Sequence, residues 1–353
     1  MQKHCKILLF LCIFSVFYSL FFIKIYHYPI LGDIRTYYAY GVNLFKGNGY
    51  SYNEFPPFVQ SSQREPGYPF FIYGLFKIFG ISKNVIYIFQ AILNGLIVAI
   101  TYSLANLAFA DKRASLVAAF LTALSPAIAG YAAFISSETL AAICLILAFV
   151  FLLRLFKKQK VVYAVIFSVL TGFFYGYFVL TKMAYFPLLL LICLVMLILP
   201  GNRPYKFKAA LCIAAVFISV LLPWFIFNNR VQGSHLLMNN RGGLVATIKA
   251  ERLNWTAKET FVSFIYPVSE KLVKKYFPNE YNKVTYNLVD GSAFKVAFDR
   301  YDSLIGRGYT EIEADKELRL EAWKRIKENI FKYTVLSISD FHFMLYFEGL
   351  PLS

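Results

Sequence analysis

Seven long apolar runs constrain this chain more than any other feature of its sequence. They occupy about residues 7–28, 84–109, 114–131, 138–154, 161–180, 183–200 and 209–228. Crossing the hydrocarbon core of a bilayer takes roughly 20 apolar residues in a helix. Charged residues make up only 16% of the chain, against about 25% in a typical soluble domain. The sequence therefore predicts an all-α polytopic membrane protein with about seven transmembrane helices.

Two apolar segments need a separate interpretation. Residues 68–81 are apolar and aromatic but short, and they contain Lys77, Gly74 and Gly80, so we expect an interfacial or re-entrant helix there. The first run follows Lys3 and Lys6, as in a signal peptide, but it is about 20 residues long and no small-residue cleavage site follows it. It is therefore predicted to be an uncleaved membrane anchor.

The distribution of basic residues predicts the topology. The net charge is +16, and in the first two thirds of the chain it lies in short connections between apolar runs. Charge in that position fits the positive-inside rule better than a nucleic-acid surface, so we expect a lipid bilayer and no nucleic acid as partner. The basic connections near residues 3–6, 111–113, 154–160 and 203–208 are predicted to be cytoplasmic, together with the N-terminus.

The same topology predicts two regions on the extracytoplasmic side. One is a first loop at 29–67, which belongs to a transmembrane domain at 1–228. The other is a polar region at 229–353. This polar region is expected to be mostly helical, because Thr310 and Glu313 have the spacing of a capping box and open a periodic run that continues to about Tyr333.

Charged residues from three separate connections are predicted to lie at that one membrane face. They are Asp33, Arg64, Glu65, Glu138 and Lys182. Taken singly, each has an ordinary interpretation as a loop acid, a solvated turn, a first-turn acid or a snorkelling lysine. Taken together, the cations suit a lipid-linked phosphate and a carboxylate suits general base chemistry.

Short motifs in a fixed order carry a resemblance to a known family. They are Gly32-Asp33, Leu44–Gly49, Arg64–Pro69, Leu75–Gly80, Ser125-Pro126, Ser137-Glu138, Gly172–Lys182, Pro223-Trp224, Asn228-Asn229, Gly242-Gly243 and the helix Glu311–Tyr333. In this order the chain resembles the polyprenyl-phosphate-dependent glycosyltransferases of the GT-C class. The similarity is greatest to the bacterial branch related to protein O-mannosyltransferases and to the lipid A aminoarabinose transferase.

The resemblance implies an inverting sugar transfer on the extracytoplasmic side of a bacterial inner membrane. The donor would be a polyprenyl-phosphate sugar, and the acceptor a hydroxyl of a lipid, a glycan or a protein. The family's first-loop aspartate, its catalytic base, corresponds to Asp33. Because a phosphate leaves without a general acid, cations would stabilise it. We assign that role to Arg64 and Lys182, and also to Arg35.

Supporting roles and cofactors complete this expectation. Glu65 and Glu138 could orient the cations or bind sugar hydroxyls, and Tyr37, Tyr38 and Tyr68 could contact the sugar. No required metal or other cofactor is predicted, because the chain has no Asp-x-Asp motif and His235 and His342 are isolated. In the family the tail helix is followed by further spans, so the sequence is expected to be either a C-terminally shortened relative or a piece of a longer protein.

Two other functions fit parts of the sequence. A transporter or flippase of lipid-linked sugars would suit seven spans and a basic pocket. Transporters, however, place ionisable groups near the bilayer midplane and show paired repeats, whereas the charges here lie at one surface. The other alternative is a non-catalytic membrane scaffold related to the family. A variant of Asp33 discriminates between the enzyme, which would lose transfer, and the scaffold, which would show no effect.

Overall fold

The structure, a computed structural model, describes residues 2–26, 32–157, 160–198, 203–232, 242–285 and 289–347. The chain forms two compact units, residues 1–238 and 239–353. The domain boundary predicted after residue 228 falls inside the last helix of the first unit. The described residues of both units form helices, turns and coil, so the predicted all-α fold is confirmed.

The first unit contains ten α-helices within its described residues. They are α1 (Gln2–Ile25), α2 (Gly32–Lys46), α3 (Gly67–Phe79), α4 (Lys83–Phe109), α5 (Lys112–Leu124), α6 (Pro126–Tyr131), α7 (Glu138–Lys157), α8 (Val161–Thr181), α9 (Leu188–Ile198) and α10 (Arg203–Gln232). Five of them, α1, α4, α7, α8 and α10, are long and apolar enough to cross a membrane. The chain is therefore an integral membrane protein.

The other two predicted spans are each interrupted at a proline. The run at 114–131 is divided into α5 and α6 because Ser125 is extended and Pro126 begins the next helix. The run at 183–200 begins with a short 3-10 turn, Met183–Tyr185, and α9 follows Pro187. Each proline lacks the N–H group that a continuous helix needs. Before Pro126 the chain is also extended, whereas Phe186 before Pro187 keeps helical dihedral angles.

Small residues bring α8 and α10 together in the apolar bundle. A β-carbon at Gly172 would lie 2.7 Å from the carbonyl oxygen of Ile213, and one at Gly176 would lie 2.9 Å from Cβ of Val220. Two glycines four residues apart on one helix face allow such close backbone approach in membranes. α7 also packs on α8, so α8 contacts both α7 and α10 within the bundle.

The predicted first loop contains a helix of its own, α2, which packs on α3. The coil after α2 is fixed by side-chain hydrogen bonds. Asn43 Nδ2 donates to the carbonyl oxygens of Ser51, at 2.7 Å, and Asn53, at 2.8 Å. The rings of Tyr40 and Tyr50 stack with centroids 4.2 Å apart. Hydrogen bonds and ring stacking therefore order this segment, which is not an open loop.

The second unit contains seven α-helices within its described residues. They are α11 (Gly242–Glu251), α12 (Ala257–Ile265), α13 (Glu270–Tyr276), α14 (Pro278–Val284), α15 (Ala293–Gly306), α16 (Glu311–Glu328) and α17 (Ile330–Phe347). The predicted capping box of Thr310 and Glu313 is confirmed. The predicted helix through Tyr333 is divided at Asn329, which separates α16 from α17.

Candidate active site

An ion pair between Arg64 and Asp33 joins the coil after α2 to the first turn of α2. Arg64 Nη2 donates to Asp33 Oδ1. The Arg64 side chain is only 10% exposed, whereas that of Asp33 is 67% exposed. The guanidinium also lies over the ring of Tyr37, 5.2 Å from its centroid, and the Tyr50 hydroxyl donates to the Arg64 carbonyl oxygen at 3.0 Å. A fixed cation therefore holds an exposed carboxylate.

The chain just after Arg64 packs against the C-terminal end of α8. A β-carbon at Gly67 would lie 2.5 Å from Thr181 Oγ1 and 2.9 Å from the carbonyl group of Leu180. The Tyr177 hydroxyl donates to the Gly67 carbonyl oxygen at 2.8 Å. Lys182 is the next residue after α8. The backbone of the Arg64 segment is thus in contact with the segment that carries Lys182.

A second ion pair lies at this end of the bundle. Lys182 Nζ is 2.7 Å from Glu138 Oε1, and each of these two side chains is 34% exposed. Glu138 begins α7, and α7 packs on α8. Two predicted site residues from different connections are therefore paired, and both remain accessible to solvent.

Gln90, in the middle of an apolar run, connects the two halves of the site, and our sequence reasoning missed it. The Tyr68 hydroxyl donates to Gln90 Oε1 at 2.6 Å. Gln90 Nε2 donates to the carbonyl oxygens of Ala132, at 3.1 Å, and Phe134, at 2.7 Å, and the chain from there leads to Glu138. An amide inside a predicted membrane span is costly unless it is bonded, and this cost is the signal that could have identified it.

The remaining predicted residues occupy different positions. Arg35 Nε donates to Glu54 Oε1 at 2.8 Å, and both side chains are well exposed. The hydrogen bond from Arg35 holds the pKa of the Glu54 carboxyl below its usual range. The pair lines an open hollow of about 480 Å³. The contacts of Arg35 are thus with Glu54, whereas those of Asp33 are with Arg64.

The aromatic residues and Glu65 border the Arg64 segment. The buried rings of Tyr37 and Tyr68 meet edge to face, 5.2 Å apart. Tyr38 is half-buried and contacts the ring of Phe76 in the same way at 5.8 Å. Glu65 is half-buried. The hydroxyl of Tyr68 is therefore used in the hydrogen bond to Gln90, while Tyr38 and Glu65 are partly exposed.

The described residues contain no group of three or more His, Cys, Asp and Glu side chains that could hold a metal ion. His235 lies outside the described residues. The absence of a required metal stays a prediction.

The fold and the site together define an integral membrane protein with charged groups gathered at one end of an apolar helix bundle. Residues 63–227 match the family model described as dolichyl-phosphate-mannose-protein mannosyltransferase. This match supports the GT-C glycosyltransferase family that the sequence resembles. The matched range includes Arg64, Glu138 and Lys182, and Asp33 precedes it. No curated protein matches the chain.

Proposed function

We propose that this protein transfers a sugar from a polyprenyl-phosphate donor to an acceptor hydroxyl, with inversion at the anomeric carbon. The observation that carries the proposal is the exposed carboxylate of Asp33 beside the buried guanidinium of Arg64. The match to a mannosyltransferase family supports the general class of reaction. The positive-inside distribution of Lys and Arg supports placing this face outside a bacterial inner membrane, with the N-terminus in the cytoplasm.

The proposed step uses one carboxylate. Asp33 takes the proton of the acceptor hydroxyl while that oxygen forms a bond to the anomeric carbon. The bond between the anomeric carbon and the phosphate oxygen breaks, and its electron pair leaves with the polyprenyl phosphate. The transition state is oxocarbenium-like, and because the anomeric carbon is inverted in a single displacement, the attacking oxygen and the leaving phosphate lie on opposite faces of the sugar.

The cations would stabilise the leaving phosphate. A guanidinium has five N–H donors, so Arg64 can hold Asp33 and also donate to a phosphate oxygen. Lys182 is already charge-paired with Glu138 at 2.7 Å, which fixes the ammonium group at the same end of the bundle. Preorganised cations at developing negative charge lower the barrier without reorganisation.

The polar groups inside the bundle favour this proposal over transport. Asn94 Nδ2 donates to Ser19 Oγ at 3.0 Å and to the carbonyl oxygen of Ile128 at 2.8 Å. Gln90 likewise donates to backbone carbonyl oxygens. These amides bind the interrupted backbone near α6, which accounts for polar residues in a membrane span without an ion or substrate path.

The test is a transfer assay in reconstituted membranes with a panel of radiolabelled polyprenyl-phosphate sugars. Asp33→Asn should lose at least about 10²-fold in kcat and still bind the donor. Asp111→Asn is the matched control, because Asp111 is an exposed acid that caps α5 by accepting from the Arg113 backbone N–H. It should leave transfer unchanged.

Three outcomes are informative. Loss of transfer in Asp33→Asn with donor binding retained would support the general base. Equal transfer by Asp33→Asn and the wild type would overturn the mechanism. A wild-type chain that transfers no sugar from any donor, while it binds donor and is folded, would favour the non-catalytic scaffold.

A further inference from the structure

A cavity lies at the end of α8 that is opposite to the candidate active site. It has a volume of about 350 Å³ and lies between the N-terminal parts of α8 and α10. α8 has 21 residues, so Val161 at its start lies about 30 Å from Lys182 just after its end. This cavity is therefore separate from the proposed reaction.

The walls of the cavity are mostly apolar. Val161, Ala164 and Val165 contribute from α8, and Ala209 contributes from α10. Val161 and Val165 are exposed on the lipid-facing surface, whereas the two alanines are buried. Small side chains on facing helices leave a slot that is open to the bilayer, and a hydrocarbon chain is the chemistry that fills such a slot.

A buried hydroxyl lines the same cavity. Ser168 is 1% exposed, and within the described part of the chain its Oγ has no hydrogen-bond partner. Other hydroxyls in membrane helices donate to the carbonyl oxygen four residues earlier, as Thr171 does to Phe167 at 2.7 Å. Ser168 is thus a donor that is available inside an apolar slot, where an unmade hydrogen bond is unfavourable.

Positive charge surrounds the mouth of the cavity. Lys208 lines it and is exposed. α8 begins at the mouth with Val161, and its N-cap residue, Lys160, makes no side-chain capping bond. The first-turn N–H groups of a helix have no partner within the helix and carry partial positive charge. The mouth of the cavity therefore suits an anion.

We propose that this cavity binds an anionic diacyl phospholipid. The lipid phosphate would bind Lys208 and the first turn of α8, the glycerol backbone would lie beside Ala209, and one acyl chain would continue past the glycerol esters along Cys212. Ser168 lies seven residues after Val161, about 10 Å along the helix, and donates its hydroxyl proton to a glycerol-ester carbonyl. A polyprenyl phosphate has a similar charge, but its hydrocarbon chain offers no acceptor to Ser168.

The test is lipid titration of the purified, delipidated full chain, followed by native mass spectrometry. Three probes are compared: phosphatidylglycerol, phosphatidylcholine with the same acyl chains, and farnesyl phosphate. We expect one site that prefers phosphatidylglycerol. Ser168→Ala, Lys208→Gln and the cavity-filling Ala209→Phe should each weaken that site about tenfold, while Lys208→Arg should retain it.

Matched controls exclude general effects of charge and bulk. Lys157→Gln removes an exposed charge near the same end of the bundle, and Val162→Phe adds bulk at a residue that is 68% exposed beside the cavity. Both should bind like the wild type. Ser168→Ala changes one atom, so it keeps the test valid if Ala209→Phe does not fold.

Several results would overturn the proposal. If phosphatidylcholine occupied the site as well as phosphatidylglycerol does, the anionic headgroup would have no role in binding. Occupancy of the site by farnesyl phosphate as tight as by phosphatidylglycerol, and unaffected by Ser168→Ala, would assign the cavity to a polyprenyl lipid instead. Unchanged binding in Ser168→Ala and Ala209→Phe would show that the phospholipid binds elsewhere.

Discussion

Gly67 and Thr181 are in contact so close that a β-carbon at Gly67 would lie 2.5 Å from Thr181 Oγ1. The Thr181 side chain cannot easily yield, because its hydroxyl donates to the Tyr177 carbonyl oxygen at 2.8 Å. The same contact brings the backbone after Arg64 onto the end of α8, next to Lys182. Gly67 is therefore required for the juxtaposition of two segments that come from distant parts of the sequence.

Gly67→Ala should lower both stability and sugar transfer. The added methyl group must displace Thr181 or the Leu180 backbone, which costs about 1–3 kcal/mol and shifts the Arg64 segment away from Lys182. Gly74→Ala in the same helix is the control, because nothing lies within 4 Å of its added β-carbon. It should be neutral or stabilising by up to about 1 kcal/mol. Thermal unfolding and the transfer assay measure both effects, and similar behaviour of the two variants would contradict the argument.

The two arginines between α1 and α3 offer an internal comparison. Arg64 is buried and its guanidinium contacts both Asp33 and the Tyr37 ring. Arg64→Lys keeps the charge but loses the planar fork, so we expect transfer to fall by about 10²-fold. Arg35→Lys should stay near wild type, because Arg35 is exposed and contacts Glu54.

Steady-state kinetics with the radiolabelled donor separate these effects. A change in kcat for Arg64→Lys fits a role in stabilising the leaving phosphate, and a change in KM alone would limit Arg64 to donor binding. Equal losses in both variants would instead place Arg35 in the phosphate site, the role assigned to it from the sequence.

Gln90 should be coupled energetically to Tyr68. Gln90→Leu leaves the Tyr68 hydroxyl and the carbonyl oxygens of Ala132 and Phe134 without the amide, at a cost of about 1–3 kcal/mol for each group that stays dry. Tyr68→Phe removes one partner only. In a double-mutant cycle we expect a coupling free energy of about 1 kcal/mol, measured by thermal unfolding. Additive effects would show that the hydrogen bond at 2.6 Å contributes no stability.

Most of the fold could be predicted from the sequence, but little of the site geometry could. Long apolar runs determine the five spanning helices because the bilayer requires a minimum length. The breaks at Pro126 and Pro187 could have been predicted from these two prolines, but the hydropathy of the surrounding runs outweighed that signal. α2 was missed because its tyrosines and glycines are only moderately apolar, and its helix is stabilised by packing on α3.

Pairing between distant residues could not be predicted from local pattern. Asp33, Arg64, Glu138 and Lys182 were chosen because topology placed them at one face. Which cation pairs with which acid depends on the contact of Gly67 with α8 and on the hydrogen bonds of Gln90. Such tertiary contacts leave no periodic signal, so they became visible only in the structure.

The capping boxes of the second unit lead to a prediction about pH. Burial raises the pKa of Glu259, but the hydrogen bond from Lys283 and those within the Thr256 capping box lower it by more, so the pKa is held below its usual range. A carboxyl whose pKa is lowered in the folded protein stabilises the fold when the pH is above the ordinary pKa of that carboxyl, 4.5. This contribution disappears as the pH falls through the pKa of the folded state.

Glu259→Gln should therefore destabilise α12 at neutral pH, by about 1 kcal/mol or less because Lys283 is half-exposed. Glutamine keeps the capping geometry, so the difference reports the charge, and it should vanish once the pH falls below the lowered folded-state pKa of Glu259. Amide hydrogen exchange of residues 257–265 in the full chain, corrected for intrinsic rates, measures it. Glu313→Gln is the control: Glu313 caps α16 in the same way, but the described residues give it no basic partner, so its effect should be smaller. A difference for Glu259→Gln that persists at low pH would show that its cause is packing rather than charge.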